Sequence, residues 1–184
     1  AENGVAQPRC HVEDRGDETT VATQQLGFGV DVLLGGARRF FLPESAGGSR
    51  KDGRNLAEEA RRAGYTLADK ASELARLRRG RILGLFSMGD MAYEIDRAGT
   101  TEPSLGDMAA KALEVLSQNP RGLFVMIEAG RIDHAAHGND LAAVVREVLA
   151  FDEAIGVALD FQRNNPDTLI VVAADHETGG LALT

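Results

Sequence analysis

The sequence predicts an α/β fold, a mainly parallel central sheet flanked by helices, and three observations carry that expectation. Short apolar runs alternate with segments of helical period, and the connections between them are long enough for crossovers. The clearest strand run, at 122–127, is too apolar to have a wet face, and 168–173 reads as another buried strand. No internal repeat, low-complexity tract or shift of composition divides the 184 residues, so they read as one domain, 1–184.

Each element has a local reason. Residues 1–17 are polar and aperiodic, a surface lead-in. Residues 18–26 have helical character, with Val21, Ala22 and Leu26 on one side. Asp31-Val32-Leu33-Leu34, closed by Gly35-Gly36, reads as a buried strand and its turn. Gly47-Gly48-Ser49 marks a loop. Asn55 is placed to cap a helix over 56–63, with Gly64 where a left-handed residue is favoured. Residues 81–87 are a further strand. Ser104 opens a strong helix to Ser117, with Asp107 in its first turn and an apolar stripe of Leu105, Met108, Ala109, Ala112, Leu113 and Leu116. Pro120 helps to end it. A strand over 122–127, a long helix over 141–161 and a strand over 168–173 complete the pattern.

Composition narrows the chemistry. A chain of this length buries roughly 70% of its unfolded surface and folds without a disulfide or structural metal. No stretch reaches the ~18 apolar residues of a membrane span. With 20 basic and 28 acidic residues the net charge is −8, whereas phosphate-backbone binding leaves a basic footprint, so nucleic-acid binding is not expected. The single Cys10 excludes an internal disulfide framework and any Cys-based zinc finger. Any metal must therefore be held by Asp, Glu and His. The chain opens on Ala1 and stops at Thr184 inside an apolar run, and it is read as a piece of a longer protein.

The two strongest strands both run into ionisable residues. The first leads to Glu128-Ala129-Gly130-Arg131-Ile132-Asp133-His134-Ala135-Ala136-His137, the second to Asp175-His176-Glu177-Thr178-Gly179-Gly180. In open parallel sheets ligands collect at the carboxyl ends of strands, so the two clusters can face one site. Asp133 and His137 are four apart and share a face if that stretch is helical. Asp175 and His176 can act together if the backbone turns sharply after the strand. Carboxylate with imidazole suits zinc, and Glu128 suits a harder ion such as magnesium. Taken singly, Asp-His after a strand is a polar loop, Asp-x-x-x-His a helix surface pair and Glu128 a solvated strand end. Taken together, at two strand ends, they favour metal.

Other patterns fail. Gly27-Phe28-Gly29-Val30 lacks the third glycine and the preceding strand of a dinucleotide site, and Gly35-Gly36-Ala37-Arg38-Arg39 lacks the ending of a phosphate loop. Arg76, Arg78, Arg79 and Arg81 read as a solvated face. Cys10 and His11 lie in a loop without partners, and Met88 and Met91 read as gap-filling apolar residues.

The 128–137 segment closely resembles the metal segment of the alkaline phosphatases, and Ala173-Ala174-Asp175-His176 resembles their later Thr-Ala-Asp-His. The likeness extends through Asp31-Val32-Leu33-Leu34-Gly35-Gly36-Ala37-Arg38-Arg39, Leu83-Gly84-Leu85-Phe86, Gly89-Asp90-Met91-Ala92-Tyr93-Glu94 and Ser117-Gln118-Asn119-Pro120-Arg121-Gly122, especially toward the animal-type branch. It covers the chain from about Thr19 onward. The resemblance implies the layered fold of that family, incomplete in this chain. It implies phosphomonoester hydrolysis through phosphoserine, with two zinc ions and one magnesium ion. Asp133 and His137 would hold the first zinc, Asp175 and His176 the second, and Glu128 the magnesium. His134 would sit near the third metal and the phosphate in an auxiliary role.

Measured against the family pattern, the nucleophilic serine, the aspartate shared by zinc and magnesium, the magnesium threonine and the phosphate-binding arginine are expected upstream of Ala1. The last histidine of the first zinc is expected downstream of Thr184. With two ligands for each zinc instead of three plus an open position, the chain alone is expected to bind zinc weakly and to hydrolyse no phosphomonoester. The family's calcium site is doubtful here: Phe86 and Glu102 match it, but Ser87 replaces a carboxylate and the stretch after Pro43 is shortened. Cys10 is compatible with half of a disulfide to an upstream partner or with a free thiol. The resemblance also implies small phosphomonoester substrates, a homodimer as an open partner, and a periplasmic, secreted or membrane-anchored location. Two rivals stay open: a phosphodiesterase or other phospho- or sulfo-transfer enzyme of the same superfamily, and a non-catalytic metal-binding α/β scaffold.

Overall fold

A computed structural model of the chain describes residues 12, 14, 16–178 and 180. Asp17 caps helix α1 (Glu18–Gly27) by accepting from Thr20 N, and the chain then enters strand β1 (Val32–Gly35). Short 3-10 turns at Arg38–Phe41 and Glu44–Ala46 lead to α2 (Leu56–Arg62), β2 (Tyr65–Ala68), α3 (Ala71–Leu74) and β3 (Arg81–Leu85). After a further 3-10 turn at Arg97–Gly99 come α4 (Leu105–Leu116), α5 (Arg131–His137) and α6 (Leu141–Asn164).

The three strands form one parallel sheet in the order β1-β3-β2. Ile82 is opposite Val32 on one side and Thr66 on the other. Because side chains alternate along a strand, the central β3 feeds two cores. Ile82 joins Val32, Leu34, Ala68 and the apolar stripe of α4. Leu83 and Leu85 join Leu33, Tyr65, Phe41 and the inner residues of α1 and α2. The α4 stripe is seated as its period predicts, and Ser104 and Asp107 close a reciprocal capping box at its start. The small residues Ala143, Ala150 and Ala154 let α6 approach α4 and α5. Gly36, just past β1, is needed for close approach: a Cβ there would meet Gly89 O at 2.5 Å.

The expected parallel α/β arrangement, with helices flanking the sheet, is present. Several expectations change. The strand β2 at Tyr65–Ala68 was not anticipated, because four residues between Gly64 and Asp69 carry little period. The segment expected as a strand over 81–87 pairs only through Leu85, and the long helix continues to Asn164. Of the arginine run read as solvated, Arg81 instead covers the Tyr65 ring at 4.0 Å and donates to its hydroxyl at 2.6 Å. Met91 fills the core as expected, whereas Met88 is exposed.

The last correction is the largest. Among the described residues the runs 122–127 and 168–173 are not ladder strands, and of these two runs only Ile127 takes part in a bridge. Val125 and Ile127 pack against the α4 core, but Phe124 and Leu169 are each 85% exposed and Val171 is 77% exposed. Apolarity shows that a segment gains by burial; a ladder also needs a neighbour with free donors and acceptors. Cys10 and His11 lie outside the described residues.

Candidate metal centre

The conditional helix over the Asp-x-x-x-His spacing forms as α5, and its first and second turns set Asp133 Oδ1 3.6 Å from His137 Nε2. A second segment, beyond α6, reaches the same carboxylate: His176 Nε2 stands 3.9 Å from Asp133 Oδ1 and 3.4 Å from Asp175 Oδ2. Asp175 Oδ1 accepts the backbone N–H of His176 at 3.0 Å, which supplies the sharp turn those neighbours require. Thr178 ties the two segments together. Its hydroxyl donates to Asp133 Oδ1 and lies 2.6 Å from His176 Nδ1. That hydrogen bond, followed by the nearby imidazoles of His137, His176 and His134, holds the Asp133 carboxyl below the ordinary carboxylate range.

At the start of α5, Arg131 organises a second group. Its guanidinium lies 3.6 Å over the Tyr93 ring and 3.4 Å from Asp90 Oδ2, and it contacts His134 Nδ1 at 2.7 Å. Arginine only donates, so His134 Nδ1 accepts and a neutral ring carries its proton on Nε2. His134 Nδ1 is also 3.8 Å from Asp90 Oδ2. Glu128 is half-buried, three residues before α5.

The donors suit a divalent ion. Two ligands of one tetrahedral zinc, each ~2.0–2.1 Å away, stand about 3.3–3.4 Å apart. The within-pair separations of 3.6 Å for Asp133–His137 and 3.4 Å for Asp175–His176 lie within a few tenths of an ångström of that geometry. Among the described residues no three His, Cys, Asp or Glu side chains close on a single point, so the residues come together in pairs around Asp133. The groups named for calcium are engaged within the chain. Glu102 accepts from Ala92 N at 2.8 Å and stands 3.7 Å from Arg97, while the Ser87 hydroxyl donates to Asp90 O at 2.9 Å.

Residue-by-residue reading missed Thr178, Asp90, Tyr93 and Glu147. Only Thr178 had a sequence signal, a hydroxyl two residues after His176. Glu147, on the inner face of α6, is 5% exposed and accepts Glu94 N at 2.5 Å, which anchors the 90–97 loop carrying Asp90 and Tyr93. Burial raises its carboxyl above the ordinary range, against the opposing Glu94 hydrogen bond and the Arg97 charge. A carboxyl raised on folding binds its proton more tightly in the folded chain. Its contribution is therefore most favourable below the unfolded value and declines as pH rises from there through the folded value. Glu147→Gln keeps an acceptor for Glu94 N and removes the buried charge. Its melting temperature is expected to equal or exceed the parent's at neutral pH and to converge on it toward pH ~4. A lower value at neutral pH that disappears in acid would show that the charge itself is needed.

Among the described residues no helix is long and apolar enough to cross a membrane. A family model described as alkaline phosphatase matches residues 5–184. The repressible alkaline phosphatase of Saccharomyces cerevisiae is 40% identical over 197 aligned positions, covering 93% of this chain and 35% of its own length. The crystal structure of Thermus thermophilus alkaline phosphatase superposes with a TM-score of 0.79 at 42% identity, over 85% of this chain and 33% of that one. A variant of the TAB5 alkaline phosphatase, described with Mg bound in its M3 site, is similar at 28% identity and a TM-score of 0.77, over 92% of this chain and 47% of that one. The chain thus spans about a third of the length of the curated relatives it matches.

Proposed function

This chain belongs to the alkaline phosphatase family, and we propose that it supplies most of the metal-holding half of a phosphomonoester hydrolase that works through a phosphoserine intermediate. The observation that carries the reading is the meeting of α5 and the 175–178 turn at the Asp133 carboxylate. In this reading Asp133 and His137 hold a first zinc, Asp175 and His176 a second, and Glu128 a magnesium. When bound, two such cations would supply positive charge to neutralise the attacking and leaving oxygens of a phosphoryl displacement.

The chain's own residues do the rest of what falls to this segment. Asp133 gathers both imidazoles, and Asp175 fixes the turn that presents His176. Arg131, braced by Tyr93 and Asp90, holds the His134 ring through its Nδ1. The nucleophilic serine, the shared aspartate and the third ligand of the first zinc come, in this reading, from other parts of a longer protein. Small phosphomonoesters are the proposed substrates, a homodimer is the proposed assembly, and a compartment outside the cytoplasm is the proposed location.

In a longer protein containing this segment, Asp175→Ala is expected to lower bound zinc and turnover of an aryl phosphate together, turnover by at least about 100-fold. Full activity with unchanged zinc would remove Asp175 from the site. Turnover of the aryl phosphate by the 184-residue chain alone, with zinc and magnesium added, would overturn the division of labour.

A further inference from the structure

We propose that Thr178 is a positioning residue that fixes the tautomer of His176, placing the ring proton on Nδ1 and leaving the Nε2 lone pair for a cation. A threonine hydroxyl has one hydrogen and two lone pairs. Here that hydrogen goes to Asp133 Oδ1, since an ionised carboxylate only accepts. The same oxygen is 2.6 Å from His176 Nδ1, and with its hydrogen committed it can only accept there. Nδ1 therefore donates.

The competing tautomer would put the proton on Nε2, directed at Asp175 Oδ2. That contact is 3.4 Å long and its carboxylate side chain is 89% exposed, so it competes poorly with a 2.6 Å bond. In the Nδ1–H tautomer the Nε2 lone pair faces Asp175 Oδ2 at 3.4 Å and Asp133 Oδ1 at 3.9 Å. A lone pair and a carboxylate oxygen that face each other repel unless a cation lies between them. Metal-ligating histidines are usually oriented through the second ring nitrogen, and Thr178 supplies that partner here from the same turn. The backbone bears the cost: Thr178 has φ 35°, a left-handed conformation that a β-branched residue rarely adopts. The hydroxyl also joins segments 45 residues apart, so one atom sets both the His176 ring and the Asp133 carboxylate.

The inference rests on the metal reading of His176, and the experiment separates the two. Long-range proton–nitrogen NMR of the 184-residue chain, labelled at histidine nitrogen and free of metal, reads the His176 tautomer about two units above the ordinary imidazole value of ~6.5. The parent chain is expected in the Nδ1–H form, Thr178→Val in the Nε2–H form or a mixture, and Thr178→Ser in the parent form. Zinc competition with a chromophoric chelator is expected to show a 10–100-fold weaker affinity for Thr178→Val, recovered by Thr178→Ser. An Nε2–H ring in the parent, or a tautomer that Thr178→Val leaves unchanged, overturns the role of Thr178. The expected tautomers with zinc affinity equal in all three chains leave that hydrogen bond standing and overturn the assignment of His176 as a ligand. Unperturbed amide spectra of β1, β2 and β3 in Thr178→Val show that the fold is retained; if they are lost, Thr178→Ser and the parent tautomer decide the question.

Discussion

Zinc binding is expected to collapse when Asp133 is replaced by alanine, more completely than for any other single change in the site. The Asp133 Oδ1 atom is the meeting point of His137, His176 and the Thr178 hydroxyl, so its loss removes a donor and the anchor of the 175–178 turn together. Loss of an outer hydrogen-bonding partner typically costs 10–100-fold in metal affinity. A donor that also orients its neighbours should cost more than about 100-fold by the same scale. Competition titration of Asp133→Ala against the parent measures this directly. An affinity within a few-fold of the parent would place any bound zinc elsewhere. Asp133→Asn distinguishes charge from shape: it retains an oxygen acceptor for Thr178 and is expected to recover little affinity, because the ionic donor is gone.

The second large effect is on stability. Ile82→Ala is expected to destabilise the chain by about 2–5 kcal/mol, the range for truncating a buried aliphatic side chain to alanine. Ile82 is 0% exposed in the middle strand and packs with Val32, Leu34 and the α4 stripe. Backbone pairing on both sides of β3 keeps the sheet from collapsing into the void, which places the cost toward the upper part of that range. For a domain of this size the melting temperature should fall by roughly 5–15 °C. Thermal unfolding followed by circular dichroism tests it. A shift of only a degree or two would mean that the β1-β3-β2 core is not a cooperative part of the fold.

The helices were the most legible part of the sequence because their causes are local. The α4 stripe, the Ser104 cap, the Asn55 cap of α2 and the Asp133–His137 spacing are all set within a few residues, and each forms as its period predicts. Strands were less legible. The apolar runs 32–34 and 81–85 pair, while the more apolar 122–127 and 168–173 do not enter the ladder among the described residues. The short β2 is an edge strand whose outer residues are mixed in polarity, so its sequence gave little to detect. Apolarity measures the gain from leaving water and carries no information about which backbone lies alongside.

The site divides in the same way. Residue types and local spacing determined by themselves that any metal would be held by carboxylate and imidazole, and that Asp133 and His137 would share a helix face. Only the tertiary structure decided that His176 would reach the Asp133 carboxylate and that Thr178 would bridge them. It alone decided that Tyr93 and Asp90 would brace Arg131, and that Glu147 would anchor the loop that carries them. Helical period and capping act over a single turn of chain, so one stretch of sequence specifies them. A contact between residues 133 and 178 depends on how every intervening element packs, which no local stretch contains.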